Sequence, residues 1–317
     1  MIQPEALLQQ YFGHKAFRAG QKQAIDAILS GRDVLAVMPT GAGKSVCYQI
    51  SALLLPGVTI VISPLISLMK DQVEALRQVG IPAAYINSSI SQEEFYHSMQ
   101  MLQQGQCRIL YVAPERLMTE SLLRLAQRVQ ISMIAVDEAH CVSQWGQDFR
   151  QSYLDIPVFM EQLPVRPVCT AFTATATKQV EADIARILKL RDPETIHTGF
   201  DRKNLFFGVR RPNSKMTELF HLLKENDGKS GIVYCSTRKA VEEVCASLCD
   251  TGFDATRYHA GLSDVERAQN QDDFLYDRKP IMVATNAFGM GIDKSNVSFV
   301  IHYNMPMDLE SYYQELS

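Results

Sequence analysis

Residues 33–50 read DVLAVMPTGAGKSVCYQI: an apolar run halts at a glycine-rich turn, and a helical pattern begins at the lysine. A strand that feeds such a turn into a helix points successive backbone N–H groups at an anion, and the helix N-terminus adds partial positive charge. Gly41 and Gly43 allow close backbone approach, with Met38, Pro39, Thr40 and Ala42 completing the loop. Lys44 is placed to reach the β and γ phosphates of a nucleotide, and Ser45 to hold a magnesium ion through its hydroxyl. The strict phosphate-loop pattern would put glycine at position 38, where this chain has Met38.

About ninety residues on, at 134–140, the chain reads IAVDEAH. A second strand ending in Asp137 supplies a carboxylate for the metal, and Glu138 is the natural base for a water molecule. Loop and acidic motif together describe an ATP site, with ATP and Mg2+ as the expected cofactors.

Around these motifs, apolar runs rich in valine and isoleucine alternate with helix-period segments. The runs fall at 33–37, 58–62, 83–86, 108–112, 131–136 and 168–172, and helices are expected near 44–55, 67–79, 92–104 and 178–188. That alternation predicts an α/β fold with a parallel sheet, whose ligands bind beyond the carboxyl ends of the strands. After Leu190 the pattern lapses. It resumes with strands near 231–235, 255–258, 281–284 and 297–302, and helices near 215–225, 238–251 and 264–275. The expected organisation is an N-terminal lobe over 1–195, a linker over 196–214 and a second lobe over 215–317, in keeping with a soft prior of about 150 residues per domain. One nucleotide site needs only one such lobe. Two suggest a motor in which a nucleotide moves one against the other.

Hydrophobic residues make up 46% of the 317, enough for large buried cores. The uncharged stretch 50–69 is broken by Pro56, Gly57, Ser63 and Pro64, and the N-terminus lacks the flank and cleavage site of a signal peptide. A cytoplasmic protein without a membrane segment is expected. Seven cysteines without C-x-x-C spacing read as reduced thiols; Cys245 and Cys249, four apart, have no nearby histidine or second pair to make a zinc site. A net charge of −4 argues against a surface that coats nucleic acid nonspecifically, while leaving room for a local basic groove.

Further segments carry a resemblance. FGHKAFRAGQ at 12–21, SPLISLMKDQ at 63–72, APERL at 113–117, DEAHCVSQWGQDFR at 137–150, FTATAT at 172–177, IVYCSTR at 232–238, YHAGL at 258–262 and VATNAFGMGIDK at 283–294 occur in order. The chain resembles the superfamily 2 helicases and, within them, the RecQ DNA helicases. The resemblance implies two RecA-like parallel-sheet lobes and an ATP-driven helicase moving 3′ to 5′ on single-stranded DNA, working at single-strand/duplex junctions in repair and recombination. A monomer is expected.

The resemblance assigns adenine reading to Gln21, whose amide can pair with the base, with Arg18 close by; His14 stands where the family commonly has a stacking aromatic residue. A solvated helix start is the plainer reading of Gln21. It assigns DNA contacts to Ser63, Pro64, Ser236, Arg238 and Thr285, and nucleotide contacts to Gly291 and Asp293. His140 becomes a relay from the γ phosphate, and Thr173, Thr175 and Thr177 a link between lobes. Trp145 and Phe149 suit stacking on unpaired bases, at about 1–3 kcal/mol per base, with Arg150 on a phosphate. The plainer readings are a tryptophan anchored in the core and, for Arg238, a surface ion pair.

The resemblance also implies that a RecQ protein continues past Gln314 and Glu315 into a motif bearing an arginine finger, then into zinc-binding and winged-helix modules. On that expectation the second lobe is incomplete, and the chain binds Mg-ATP and single-stranded DNA but hydrolyses and unwinds poorly. Two alternatives stand beside this reading: a nucleotide-gated DNA-binding module without useful catalysis, and an RNA-remodelling ATPase.

Overall fold

The valine- and isoleucine-rich runs become strands because both faces of a parallel sheet are covered by its crossover helices, so alternate residues need not be polar. The computed structural model describes residues 3–146, 148–199, 205–286, 288, 294, 296–306, 311–312 and 315, without the side chains of Ser67 and Asp264. The chain divides into two compact units, Met1–Phe200 and Asp201–Ser317.

The strands of the first unit are β1 (Val34–Val37), β2 (Val58–Ile62), β3 (Ala83–Ile86), β4 (Ile109–Val112), β5 (Ile131–Val136), β6 (Val168–Thr173) and β7 (Glu194–His197). Among the described residues they form one parallel sheet in the order β3-β4-β2-β5-β6-β1-β7. Its helices are α1 (Pro4–Phe12), α2 (Gln21–Leu29), α3 (Lys44–Leu54), α4 (Ile66–Gln78), α5 (Gln92–Gln103), α6 (Glu120–Ala126), α7 (Asp155–Glu161) and α8 (Lys178–Ile187). On one face Leu8, Ile25, Ile50 and Val73 of α1–α4 pack on Val34, Ala36 and Val61; on the other, Leu102, Leu122, Phe159 and Ile184 of α5–α8 pack on Leu35, Ile60 and Ile134. Each fully buried aliphatic side chain contributes about 1.5–3 kcal/mol.

The second unit contains α9 (Lys215–Glu225), β8 (Ser230–Tyr234), α10 (Arg238–Asp250), β9 (Ala255–Tyr258), α11 (Asp264–Leu275), β10 (Ile281–Ala284) and β11 (Val297–His302). Its strands pair in parallel in the order β11-β8-β10-β9 among the described residues. Both units are thus parallel α/β, as the resemblance implies. No helix among the described residues is long and apolar enough to cross a membrane, and all seven cysteines are free thiols.

One boundary differs from expectation. The linker expected from residue 196 begins inside β7, which pairs with β1 at the sheet edge. Only Ile196 of this strand is buried, so Glu194, Thr195 and His197 give it the composition of a loop; its partner, not its sequence, makes it a strand.

The amino ends of β1, β6 and the segment leading into β7 meet at one carboxylate. Asp33 is buried and accepts from the Arg166 guanidinium (Nη1 3.1 Å, Nη2 2.6 Å), from Cys169 N–H (2.9 Å) and from Arg191 N–H (2.6 Å). Removing it strands a part-buried cation and two backbone donors. Asp33→Ala is expected to destabilise the first unit by about 3–5 kcal/mol, read as a lower urea midpoint in the fluorescence of Trp145, the chain's single tryptophan.

Candidate nucleotide and nucleic-acid site

The phosphate loop leaves the sheet from a fixed root. Met38 N–H donates to Thr173 O at 2.9 Å, extending the β1–β6 ladder by one residue before the turn. Gly41 and Gly43 both have φ of +79°, the left-handed region that glycine enters without a steric cost. Gly43 is the N-cap of α3, and no side chain caps that helix, so its first N–H groups are left for an anion. Lys44, the first residue of α3, lies back over the loop with Nζ 3.4 Å from Met38 O.

Gln21 and Arg18 brace this loop. Gln21 is only 3% exposed. Its Oε1 accepts from Arg18 N–H at 2.8 Å, and its Nε2 donates to Ala42 O at 3.0 Å and Gly43 O at 3.1 Å. The Arg18 guanidinium donates to Gly41 O. A Cβ at Gly43 would collide with the Gln21 amide, so the glycine serves close packing as well as its φ. The solvated helix start is therefore set aside. Adenine reading by Gln21 competes with its hold on the loop, since both amide protons are engaged. His14 is exposed.

Asp137 follows β5, and its N–H donates to Ile62 O at 2.8 Å. The residue is 6% exposed; Glu138 N–H donates to its Oδ1 at 3.0 Å, and the Tyr153 hydroxyl donates to its backbone oxygen at 2.9 Å. Burial, reinforced by the Glu138 carboxylate and opposed by Lys44, pushes its pKa up to about 7. Glu138 has φ of +46°, a left-handed conformation that costs a non-glycine residue roughly 1–2 kcal/mol. His140 Nδ1 lies 3.0 Å from Thr173 Oγ1 and 3.3 Å from Glu138 Oε2. Because the Thr173 hydroxyl gives its one proton to Thr175 O at 2.8 Å, it accepts from His140, which places the imidazole proton on Nδ1.

The oxygens of Ser45 and Asp137 suit magnesium, which takes few protein ligands and completes its shell with water and phosphate. Asp137 and Glu138 are adjacent carboxyls at a buried strand end opposed by Lys44, an imbalance that a divalent cation would relieve. Among the described residues no group of three or more His, Cys, Asp or Glu is placed to hold a metal ion by itself.

Directly after the buried turn Ala139–Val142, the chain loops outward. Trp145 N–H donates to Ser143 Oγ at 3.1 Å, Gly146 N–H to Ser143 O at 3.0 Å, and Arg150 N–H to Cys141 O at 2.9 Å. Trp145 is 69% exposed and Phe149 is exposed too, so the tryptophan is not a core anchor. The Arg150 guanidinium bonds Asp148 Oδ2 (Nε 2.9 Å, Nη2 2.8 Å) and Pro64 O (Nη1 2.9 Å), tying this loop to the turn after β2. A phosphate would have to share those donors. Ser63 is 1% exposed, its N–H bonded to Val112 O at 3.3 Å and its hydroxyl without a partner among the described residues.

In the second unit, Ser236 and Arg238 are exposed after β8, and Ser236 N–H donates to Asn304 Oδ1 at 3.2 Å. Arg238 begins α10, and no ion pair of Arg238 occurs among the described residues. Thr285 follows β10, its N–H bonded to Tyr258 O at 3.2 Å. Gly291 and Asp293 lie outside the described residues. Sequence reasoning missed the grip of Arg18 and Gln21 on the loop carbonyls, and the bond from Ser143 Oγ to Asp183 Oδ2 at 2.8 Å, which spans forty positions and has no spacing signature.

The DEAD/DEAH box helicase model matches residues 18–183 and the helicase conserved C-terminal domain model residues 214–317. The chain is 48% identical over 312 residues to the ATP-dependent DNA helicase RecQ of Bacillus subtilis and 45% identical over 310 residues to that of Haemophilus influenzae, covering 98% of this chain in each case. It spans about half the length of these relatives, 53% and 50% respectively. Its fold matches Saccharomyces cerevisiae Dbp5 bound to RNA and ADP BeF3 with a TM-score of 0.74 at 20% identity, over 99% of this chain and 83% of that one. The chain belongs to the DEAD/DEAH box helicase family, and within it to the RecQ group.

Two outcomes follow from the site's geometry. Asp137 carries a raised pKa, so the folded unit holds a proton that the unfolded chain releases; between about pH 4 and pH 7 stability falls as pH rises. Without metal or nucleotide, Asp137→Asn is expected to remove that loss and to exceed the parent by about 1–3 kcal/mol near pH 8 in urea titrations. A Cβ on Gly146 would collide with His140 O, a backbone atom, so Gly146→Ala is expected to displace the loop and shift the Trp145 emission maximum.

Proposed function

We propose that this chain is the motor core of an ATP-dependent DNA helicase, which binds Mg-ATP at the phosphate loop and a single strand of DNA at the loop bearing Trp145. One observation carries this reading. The exposed tryptophan stands eight residues after a buried carboxylate suited to a metal, and the intervening turn is hydrogen-bonded at both stems, so movement at one end is felt at the other.

Magnesium, when bound, would screen phosphate charge and polarise the γ-phosphoryl group. Lys44 and the free N–H groups of α3 bind and orient the phosphates. Glu138 accepts a proton from the attacking water, and its strained backbone holds the carboxylate where His140 Nδ1–H can hydrogen-bond it. His140 is shared between Glu138 and Thr173, so a change at the water alters the turn from which the aromatic loop hangs. Trp145 and Phe149 supply stacking faces that suit unpaired bases of any sequence. Ser236, Arg238 and Thr285 are the second unit's candidates for the DNA backbone. The relatives' names support DNA as the polymer, and we take the chain to act as a cytoplasmic monomer at single-strand/duplex junctions.

Steady-state ATP hydrolysis with magnesium tests the reading. Single-stranded DNA is expected to stimulate turnover, an RNA of equal length to stimulate it less, and Lys44→Ala to abolish it. Trp145→Ala is expected to raise the DNA concentration for half-maximal stimulation by roughly tenfold, the weight of one stacked base. Equal stimulation by RNA would move the reading to RNA remodelling. DNA binding gated by nucleotide but without turnover would leave only a binding module.

A further inference from the structure

Ser143 is fully buried between the acidic motif and the exposed tryptophan, and its hydroxyl is used twice. The oxygen accepts from Trp145 N–H at 3.1 Å, and the proton goes to Asp183 Oδ2 at 2.8 Å. Asp183 lies within α8, the helix that follows FTATAT and is capped by Thr177, whose side chain accepts from Val180 N–H. Its other oxygen, Oδ1, accepts from Arg186 Nη2 at 2.7 Å.

The hydroxyl carries a single proton, so its direction is decided by the partner that must receive it. With a carboxylate on one side, the proton points to Asp183 and a lone pair is left facing Trp145 N–H. Without Asp183, the buried hydroxyl turns to another acceptor, and the backbone of the tryptophan loses its oriented partner. The other stem of the loop is held separately, by Arg150 on Asp148 and Pro64 O. Asp183 therefore controls the stem nearest Trp145, from a helix that contributes no residue to the nucleotide site.

We propose that Asp183 is a positioning residue for Trp145: through the Ser143 hydroxyl, α8 sets the pose in which the tryptophan meets a single strand of DNA. The proposal rests on the reading that Trp145 contacts DNA, but the pose itself can be measured without DNA. Trp145 is the chain's one tryptophan, so its fluorescence anisotropy reports this loop alone.

Asp183→Ala is expected to lower the Trp145 anisotropy in the DNA-free protein and to raise the half-saturating concentration of single-stranded DNA about three- to tenfold, the span of one lost hydrogen bond. Asp183→Asn, whose amide oxygen still accepts from Ser143, is expected to restore both. Ser143→Ala removes the same link from the other side and should reproduce the anisotropy loss. Arg186→Ala removes the neighbouring ion pair but keeps the Ser143–Asp183 bond, and should leave anisotropy unchanged. A folded Asp183→Ala or Ser143→Ala protein with unchanged anisotropy would overturn the proposal, as would an equal loss in Arg186→Ala. If anisotropy falls as expected while Trp145→Ala itself leaves DNA affinity unchanged, the positioning stands and the assignment of Trp145 to DNA is what fails.

Discussion

The carboxylate of Asp137 sits at the buried end of β5 beside a second carboxylate, with Lys44 as the opposing cation, and much of the first unit is arranged around that charge. Burial alone would neutralise an acid in such a place. The sheet order sets how the balancing groups arrive. β6 lies between β5 and β1, and Thr173 at its end touches both sides: its carbonyl accepts from Met38 at the root of the phosphate loop, and its hydroxyl accepts from His140 of the acidic motif. One threonine thus joins the root of the glycine-rich loop to the acidic motif, the two elements proposed to hold phosphate and metal.

The same economy governs the aromatic loop. Small residues admit close neighbours where a side chain would not fit: the Gln21 amide against Gly43, and His140 O against Gly146. Hydrogen bonds from Ser143 and Arg150 then hold the loop's stems while its apolar rings remain in water. Exposing a tryptophan forgoes the burial energy that such a side chain ordinarily contributes, and a ring held outward by a bonded frame is suited to a planar partner that arrives later.

Much of this was legible in the residues. The period of the apolar runs located the strands, and glycine, lysine and serine at the loop marked a candidate phosphate site. Trp145, with Gln144, Gly146 and Gln147 around it, lacked the apolar spacing of a core residue. The edge strand β7 was not legible, because one buried isoleucine among polar neighbours carries no period. Gln21 was legible as an amide near a nucleotide but not as a brace, because its bonds go to carbonyls twenty-one and twenty-two positions away.

The sequence by itself therefore determined the fold class, the phosphate loop, the acidic motif and the family, since each depends on local periodicity or on residue types at short, strict spacing. Tertiary structure alone decided which groups share protons and charge: Asp33 with Arg166, His140 with Thr173, Ser143 with Asp183, Arg150 with Pro64 O. Those pairings follow from strand order and crossover packing, which bring together residues 33 to 133 positions apart and leave no trace in the spacing of either partner.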